Sequence, residues 1–282
     1  MEERWVDVDG TRLFIRTWGE PAGKPVLYWH GVSLTAGASL TLGPAGPALA
    51  GHGLFLIALD APGFGHSPPL DQEAYHPDAL GDLVPPLLDG LGLDRAGFMG
   101  FSWGGDLGLH VAARHPERLT ALVILDAGYD DPPFDPSQPF ESYLEENEQA
   151  WEEKCEPSWE SALAGVRQRF HTWSPALEQV WRAGWREEDG RLVPSVSPSV
   201  VAAAEHGTAQ ALPSTVRPAL AATGLPVLLV ASGDASEEDL ARFAADVPQA
   251  EIHHAKGVAH DVLNDGGPRL TQLVGEWLAA NG

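Results

Sequence analysis

Residues 97–105 read Gly-Phe-Met-Gly-Phe-Ser-Trp-Gly-Gly, an apolar run that meets a glycine-flanked serine at Ser102. The run is typical of a buried strand, and residues 104–114 have the pattern of a helix. The G-x-S-x-G motif needs this strand–turn–helix setting, because the turn leaves little room for side chains beside the serine. The sequence predicts an exposed, strained Ser102, with the Trp103 backbone N–H at the helix start as an oxyanion donor. Taken alone, the pentapeptide also fits a glycine-rich turn with an ordinary serine.

Outward from this turn, short apolar runs alternate with helical segments. A hairpin is predicted at the beginning, because Asp9-Gly10 joins two alternating runs and favours the positive φ values of a tight turn. Further strands are predicted at 25–29, 54–59, 121–125 and 226–230, and helices at 104–114, 237–245 and 268–280. This alternation predicts an α/β fold with a parallel sheet and helices on both faces.

The alternation stops between residues 129 and 213. Helices are predicted there at 140–154, 158–170, 176–188 and 199–212, with Trp181 and Trp185 on one helix face by i, i+4 spacing. We therefore expect an α/β core made of residues 1–128 and 214–282, and a helical cap, or lid, made of residues 129–213. The alternative is a helical subdomain that only packs on the outside of the core.

Two further segments supply candidate partners for Ser102. His30-Gly31 ends the run at 25–29, and the following Val32-Ser33 loop is placed to offer a second backbone N–H, that of Val32, to an oxyanion. His260 lies in Gly257-Val-Ala-His260-Asp261, before the last helix, where a general base would enter the site.

The order of these motifs resembles the α/β-hydrolase superfamily. The resemblance rests on His30-Gly31, on Gly100-Phe-Ser102-Trp-Gly104-Gly105, on Gly257 to His260, and on the segment Asp60-Ala-Pro-Gly63-Phe-Gly65-His-Ser67. It implies an eight-stranded, mostly parallel sheet, a cap inserted after the sixth strand, and a triad in the order nucleophile, acid, histidine. It also implies that Asp60 shapes the loop beside the nucleophile rather than reacting.

The acid of that triad has two candidates. In the family it usually follows the strand after the cap, within a Gly-x-x-Asp turn, but here the residue three places after Gly233 is Ser236. Asp234 is the nearest carboxylate, whereas Asp126, at the end of the strand before the cap, matches a position used by some relatives. We favour Asp234, which would accept the imidazole N–H of His260 and stabilise the imidazolium.

Composition excludes several other classes of protein. With 17 Lys and Arg against 40 Asp and Glu, the formal charge is −23, so no basic footprint exists for nucleic acid and an acidic membrane surface would repel the chain. No apolar run approaches a membrane span, and the start of the chain lacks the pattern of a signal peptide. Cys155 is the sole cysteine, so we expect a cytoplasmic protein without an internal disulfide. The sequence carries no signal for an oligomeric state.

These features predict a serine hydrolase of small, largely apolar esters, with no metal or organic cofactor. A carbon–carbon bond hydrolase would use the same triad. So would an aminopeptidase like the proline iminopeptidases, which the chain resembles less closely, and eleven acidic residues between Asp130 and Glu160 would suit a cationic substrate. An alternative from another class is a non-catalytic ligand-binding member of the fold.

Overall fold

A computed structural model of the chain describes residues 1–32, 43–167 and 173–282. Within these ranges the strands are β1 (Glu2–Val8), β2 (Thr11–Trp18), β3 (Lys24–Trp29), β4 (Leu54–Asp60), β5 (Ala96–Phe101), β6 (Leu119–Leu125), β7 (Trp185–Glu188), β8 (Arg191–Pro194), β9 (Val227–Ala231) and β10 (Ala250–His254). Eight of them form one sheet in the order β1-β2-β4-β3-β5-β6-β9-β10, and β7 pairs with β8 as a separate hairpin.

Pairing within the large sheet is mostly parallel, as predicted. Only β1–β2 and β2–β4 are antiparallel. The first of these pairs is the predicted hairpin, and its turn residues Asp9 and Gly10 have φ values of 47° and 86°. Because the other neighbours run in the same direction, the carboxyl ends of β3, β5, β6, β9 and β10 lie along one edge.

Helices cover both faces of the sheet. They are α1 (Ala45–Ala50), α2 (Pro77–Gly81), α3 (Val84–Gly90), α4 (Trp103–Arg114), α5 (Phe140–Lys154), α6 (Trp159–Arg167), α7 (Pro175–Ala183), α8 (Pro198–Gln210), α9 (Pro213–Thr223), α10 (Glu237–Asp246), α11 (Val262–Asp265) and α12 (Gly267–Asn281), with 3₁₀ turns at Gln72–Tyr75 and Pro116–Arg118. None of the helices in the described part of the chain is both long and apolar enough to cross a bilayer.

Alternate residues of each strand enter different cores, because successive side chains of a strand point to opposite faces. In β3, Leu27 and Trp29 pack into the core shared with α4 and α10. Val26 and Tyr28 pack into the core shared with α1 and α12. Burial on both faces explains why the sequence shows continuous apolar runs here rather than an alternating pattern.

The segment between β6 and β9 is mainly helical but differs from expectation at one place. Helix α5 has the predicted bounds. The predicted helix at 158–170 is α6, and its last predicted residues lie outside the described ranges. The predicted helix at 176–188 is wrong, because α7 ends at Ala183 and Trp185 begins β7. Asp189-Gly190 forms the tight turn of the β7–β8 hairpin, with φ values of 50° and 78°, so Trp181 and Trp185 do not share a helix face.

Asp60 organises the loop that follows β4. Its side chain is fully buried, and Arg16 Nη1 donates a hydrogen bond to Asp60 Oδ1 over 2.9 Å. The backbone N–H of His66 donates to Asp60 Oδ2 over 3.0 Å, and the Ser67 hydroxyl donates to the Asp60 carbonyl. A side chain on Gly65 would overlap this carboxylate. These contacts fit the structural role expected for Asp60.

Candidate active site

Ser102 occupies the sharp turn between β5 and α4. Its backbone has φ 51° and ψ −125°, a strained conformation for a residue other than glycine that costs roughly 1–3 kcal/mol. The Ser102 N–H donates a hydrogen bond to the Leu125 carbonyl over 2.9 Å, which ties the turn to the end of β6. A Cβ on Gly100 would overlap the backbone of Gly104. Glycine is therefore needed at position 100, because the backbone of the strand and the backbone of the helix are in contact at this turn.

His260 pairs with Asp126. The distance from His260 Nδ1 to Asp126 Oδ2 is 2.6 Å, and since a carboxylate only accepts, the imidazole nitrogen is the donor. The Asp126 side chain is 4% exposed, whereas that of His260 is 58% exposed, so a buried acid holds an accessible base. Asp126 follows β6 directly and has φ 49°, a second left-handed non-glycine residue beside the turn at Ser102.

The sequence-based preference for Asp234 as the partner of His260 is wrong at the level of contact. Asp234 is exposed, and its backbone N–H bonds to Ser232 Oγ over 3.3 Å. The turn after β9 instead supplies a backbone donor, because the Ser232 N–H donates to Asp126 Oδ1 over 2.6 Å. Ser236, which stands where the family pattern expects an acid, caps α10 by accepting from the Asp239 N–H.

Burial and hydrogen bonding act in opposite directions on this pair. Burial alone would raise the pKa of Asp126, but hydrogen bonds from His260 and from the Ser232 N–H outweigh it and lower that pKa. For His260, the hydrogen bond to Asp126 raises the pKa above its ordinary value of 6.5, against the effect of burial. The carboxylate is therefore ionised and stabilises a protonated imidazole.

The loop after β3 lies against Ser102. A Cβ on Gly31 would be only 2.9 Å from the Ser102 Cβ, so glycine allows the close approach. His30 is fully buried: its Nδ1 donates to the Gly31 carbonyl over 2.6 Å, and its Nε2 accepts from the Ala61 N–H over 3.0 Å. Burial lowers the pKa of His30, which favours the neutral imidazole, and the two hydrogen bonds of that ring hold this loop in place. Val32 continues the loop, and Ser33 lies outside the described residues.

Three groups around Asp126 were not identified from the sequence. The Tyr129 hydroxyl donates to Asp126 Oδ1 over 2.9 Å, and Ser232 supplies the backbone donor described above. Asp106, on the first turns of α4, accepts a hydrogen bond from the Gly128 N–H over 2.9 Å. The sequence contains only short spacings that could have indicated these groups: Tyr129 lies three residues after Asp126, and Asp106 lies four residues after Ser102. These spacings point to the site only once Asp126 is known to contact His260.

The turn of Ser102 and the pair formed by Asp126 and His260 thus lie next to each other at the carboxyl edge of the sheet. The Ser102 N–H is hydrogen-bonded to the carbonyl of Leu125, the residue before Asp126, and Asp126 is hydrogen-bonded to His260. The ring centroids of His260 and Phe101 lie 4.9 Å apart. Trp103 is the first residue of α4, and an N–H at that position has no partner within its own helix. The arrangement offers a hydroxyl, a base with an ionised partner, and a backbone donor that its own helix does not use.

Comparisons with known sequences identify the family of this fold. A family profile described as alpha/beta hydrolase fold matches residues 24–194. The chain is 33% identical over 147 residues to epoxide hydrolase A of Mycobacterium tuberculosis, covering 51% of this chain and 45% of that one. It is 37% identical over 106 residues to 2-hydroxymuconate semialdehyde hydrolase of a Pseudomonas species, covering 37% of this chain and 36% of that one. The chain therefore spans less than half the length of each of these curated relatives.

Solved structures resemble the whole chain. A thioesterase domain from the curacin biosynthetic pathway superposes with a TM-score of 0.77 at 18% identity, covering 99% of both chains. A thermophilic esterase from Thermogutta terrifontis superposes with a TM-score of 0.71 at 22% identity, also covering 99% of both. At such identities the likeness concerns the fold. Since the family profile matches more than half of the residues, this chain belongs to the α/β-hydrolase fold family.

Proposed function

We propose that the chain is a serine hydrolase of small, largely apolar esters, with Ser102 as nucleophile, His260 as general base and Asp126 as the acid of the triad. The observation that carries the proposal is the contact of 2.6 Å between His260 Nδ1 and Asp126 Oδ2, beside a strained Ser102. Asp234, the acid expected from the family's usual turn, takes no part in this scheme. We further propose a cytoplasmic location, on the ground of the single cysteine.

The proposed reaction has two halves. In the first, His260 Nε2 accepts the Ser102 hydroxyl proton as Oγ attacks the ester carbonyl, and the proton then passes to the departing alkoxide. The N–H groups of Val32 and Trp103 bind the oxyanion of the tetrahedral intermediate. In the second half, His260 deprotonates a water molecule as it attacks the acyl-serine. The proton then passes from His260 to Ser102 Oγ as the C–O bond breaks, which releases the carboxylic acid and restores Ser102.

A serine nucleophile is compatible with some of the activities for which the relatives are named and not with others. A serine that opened an epoxide would be left as an alkyl ether, which water does not hydrolyse under these conditions. A serine that attacks a carbonyl leaves an ester, which His260 and water do hydrolyse. Ser102 therefore supports acyl transfer to water rather than a covalent route to epoxide opening.

A second candidate is hydrolysis of a carbon–carbon bond next to a ketone. It is favoured by the similarity to 2-hydroxymuconate semialdehyde hydrolase, and it uses the same serine, base and acid. The two candidates differ in the leaving group, which is an alkoxide for an ester and a carbanion equivalent that must be protonated for the ketone.

A substrate panel tests the proposal. We expect p-nitrophenyl esters with short acyl chains to be hydrolysed, and amino-acid p-nitroanilides, a vinylogous 1,5-diketo acid and styrene oxide to be hydrolysed much more slowly. Ser102→Ala is the matched control, because alanine fits the turn; it should reduce kcat by about 10⁶-fold. Preferred turnover of the diketo acid would establish the second candidate, and ester turnover that survives Ser102→Ala would overturn the proposal.

A further inference from the structure

The backbone turn that carries Asp126 is held from two sides at Gly128. The Gly128 N–H donates to Asp106 Oδ1 over 2.9 Å, and Arg217 Nε donates to the Gly128 carbonyl over 3.0 Å. Both partners belong to other elements, since Asp106 lies on α4 and Arg217 on α9. Gly128, two residues after the acid, is thus hydrogen-bonded through both its backbone N–H and its backbone carbonyl.

This turn needs external support. Asp126 has φ 49° and Gly128 has φ 73°, so the chain passes through two left-handed residues in three positions as it leaves β6. Non-glycine residues adopt such a backbone at a cost, and they keep it only where the surroundings over-determine it. Ala127 between them packs so closely on α4 that a Cβ at Gly105 would be 2.7 Å from the Ala127 Cβ.

We propose that Asp106 is a positioning residue for the site: by accepting from the Gly128 N–H, while Arg217 binds the carbonyl of the same residue, it fixes the turn that presents Asp126 to His260. This rests on the proposed function for its catalytic consequence, although its structural part concerns only the pairing of Asp126 with His260. Asp106 also lies one helical turn from the nucleophile, and its own N–H donates to the Ser102 carbonyl over 3.1 Å. It therefore links the turn of the acid to the turn of the nucleophile.

The other contacts of Asp106 and Arg217, the two residues that bind Gly128, fit this assignment. Arg217 is 4% exposed at its side chain and also donates from Nη1 to Asp246 Oδ2 over 3.1 Å, which anchors it to α10. Burial raises the pKa of Asp106 to about 8, against the Gly128 hydrogen bond, which lowers it. An uncharged carboxyl group at this position would present the same carbonyl oxygen to the Gly128 N–H as an asparagine does.

This equivalence gives a sharp test with a conservative rescue. Asp106→Asn keeps the acceptor and should stay within about twofold of wild type in kcat at pH 7. Asp106→Ala removes the acceptor and should lower kcat by about tenfold to a hundredfold with little change in KM, because small displacements of catalytic groups are costly. Asp246→Asn is the matched control, since it removes a charge beside Arg217 but keeps an oxygen that can accept from Nη1, and it should behave as wild type.

The decisive readout is the His260 imidazole in the free protein, followed by NMR and assigned with His260→Gln. Asp106→Ala should lower the His260 pKa and shift its Nδ1 proton upfield, while Asp106→Asn should leave both unchanged. If Asp106→Ala does not fold, Arg217→Met carries the test with the same expected direction. A lower melting temperature with an unchanged His260 pKa and Nδ1 proton would overturn the proposal. So would a His260 pKa that Asp106→Asn lowers as much as Asp106→Ala does, because that result would show a direct effect of the Asp106 charge. Because this readout needs no substrate, a failure of ester hydrolysis would count against the proposed function alone.

Discussion

At the scale of single residues, the site depends on two positions with left-handed backbone, Ser102 and Asp126. The sequence marks the first, because glycines flank it at 100 and 104 where side chains would collide. It does not mark the second, because Asp126 is followed by Ala127 and its conformation is imposed by contacts with distant residues. The sequence was therefore enough to propose Ser102 and His260 for the site, whereas the contact between His260 and Asp126 required the structure.

The first prediction compares the two candidate acids. Asp126→Asn should lower kcat by about 10⁴-fold, because an amide cannot stabilise the imidazolium of His260 and favours the wrong tautomer. Asp234→Asn should change kcat by less than about threefold, as is usual for an exposed side chain away from the site. Steady-state kinetics on a p-nitrophenyl ester measures both. The reverse ranking would return the role to Asp234.

The second prediction concerns pH. Imidazolium cannot accept the Ser102 proton, so kcat/KM should fall as pH falls through the His260 pKa of the free enzyme. Since Asp126 raises that pKa, the acid limb should lie above the ordinary histidine value of 6.5. Asp126→Asn should move the residual limb to lower pH. A limb that stays in place in this variant would show that Asp126 does not act on His260.

At the scale of elements, the start of α4 is built for close approach. A Cβ on Gly104 would overlap the Trp29 carbonyl oxygen at the end of β3, and Gly105 faces Ala127. In α6, by contrast, a Cβ on the exposed Gly165 would meet no atom of the described residues within 4 Å. Packing thus requires glycine at position 104 but not at position 165.

The third prediction follows from this contrast. Gly104→Ala should lower the free energy of unfolding by about 1–3 kcal/mol or more, because the strand and helix must separate to admit the methyl group. Gly165→Ala should raise it by about 0.5–1 kcal/mol, since alanine is the better helix former. Urea denaturation followed by circular dichroism measures both changes. Equal effects of the two substitutions would contradict the packing described for α4.

Prediction of the elements succeeded where hydrophobic runs and turn residues agreed. The hairpin at Asp9-Gly10, the parallel strands and α5 were all confirmed. The prediction that one helix spans 176–188 was wrong, because residues 185–188 show no strand signal of their own in the sequence. They become a strand through pairing with β8 around the Asp189-Gly190 turn, a partner that helical periodicity ignores.

At the scale of the whole molecule, sheet order brings together residues far apart in sequence. Asp126 and His260 are 134 positions apart, yet β6, β9 and β10 are neighbours and end at one edge. The order β5-β6-β9 also sets Ser102 next to the turn of Asp126. Motif order predicted that these residues belong to one site, whereas the choice of acid depended on which strand end faces His260.

The fourth prediction concerns the net charge of −23. So large an excess of carboxylates disfavours the compact state through mutual repulsion, and salt screens it as the Debye length falls from about 30 Å at 0.01 M to about 8 Å at 0.15 M. The melting temperature should therefore rise over this range of sodium chloride at pH 8. A fall would mean that attractive ion pairs outweigh the repulsion.

The central claim is that Ser102, activated by His260 and Asp126, is the nucleophile. The most direct measurement is reaction of the whole protein with a fluorophosphonate, followed by digestion and mass spectrometry to locate the adduct. We predict a single adduct on Ser102 in the wild-type protein, and labelling slowed by orders of magnitude in Asp126→Asn but unchanged in Asp234→Asn. No adduct on Ser102, or equally fast labelling in Asp126→Asn, would contradict the account.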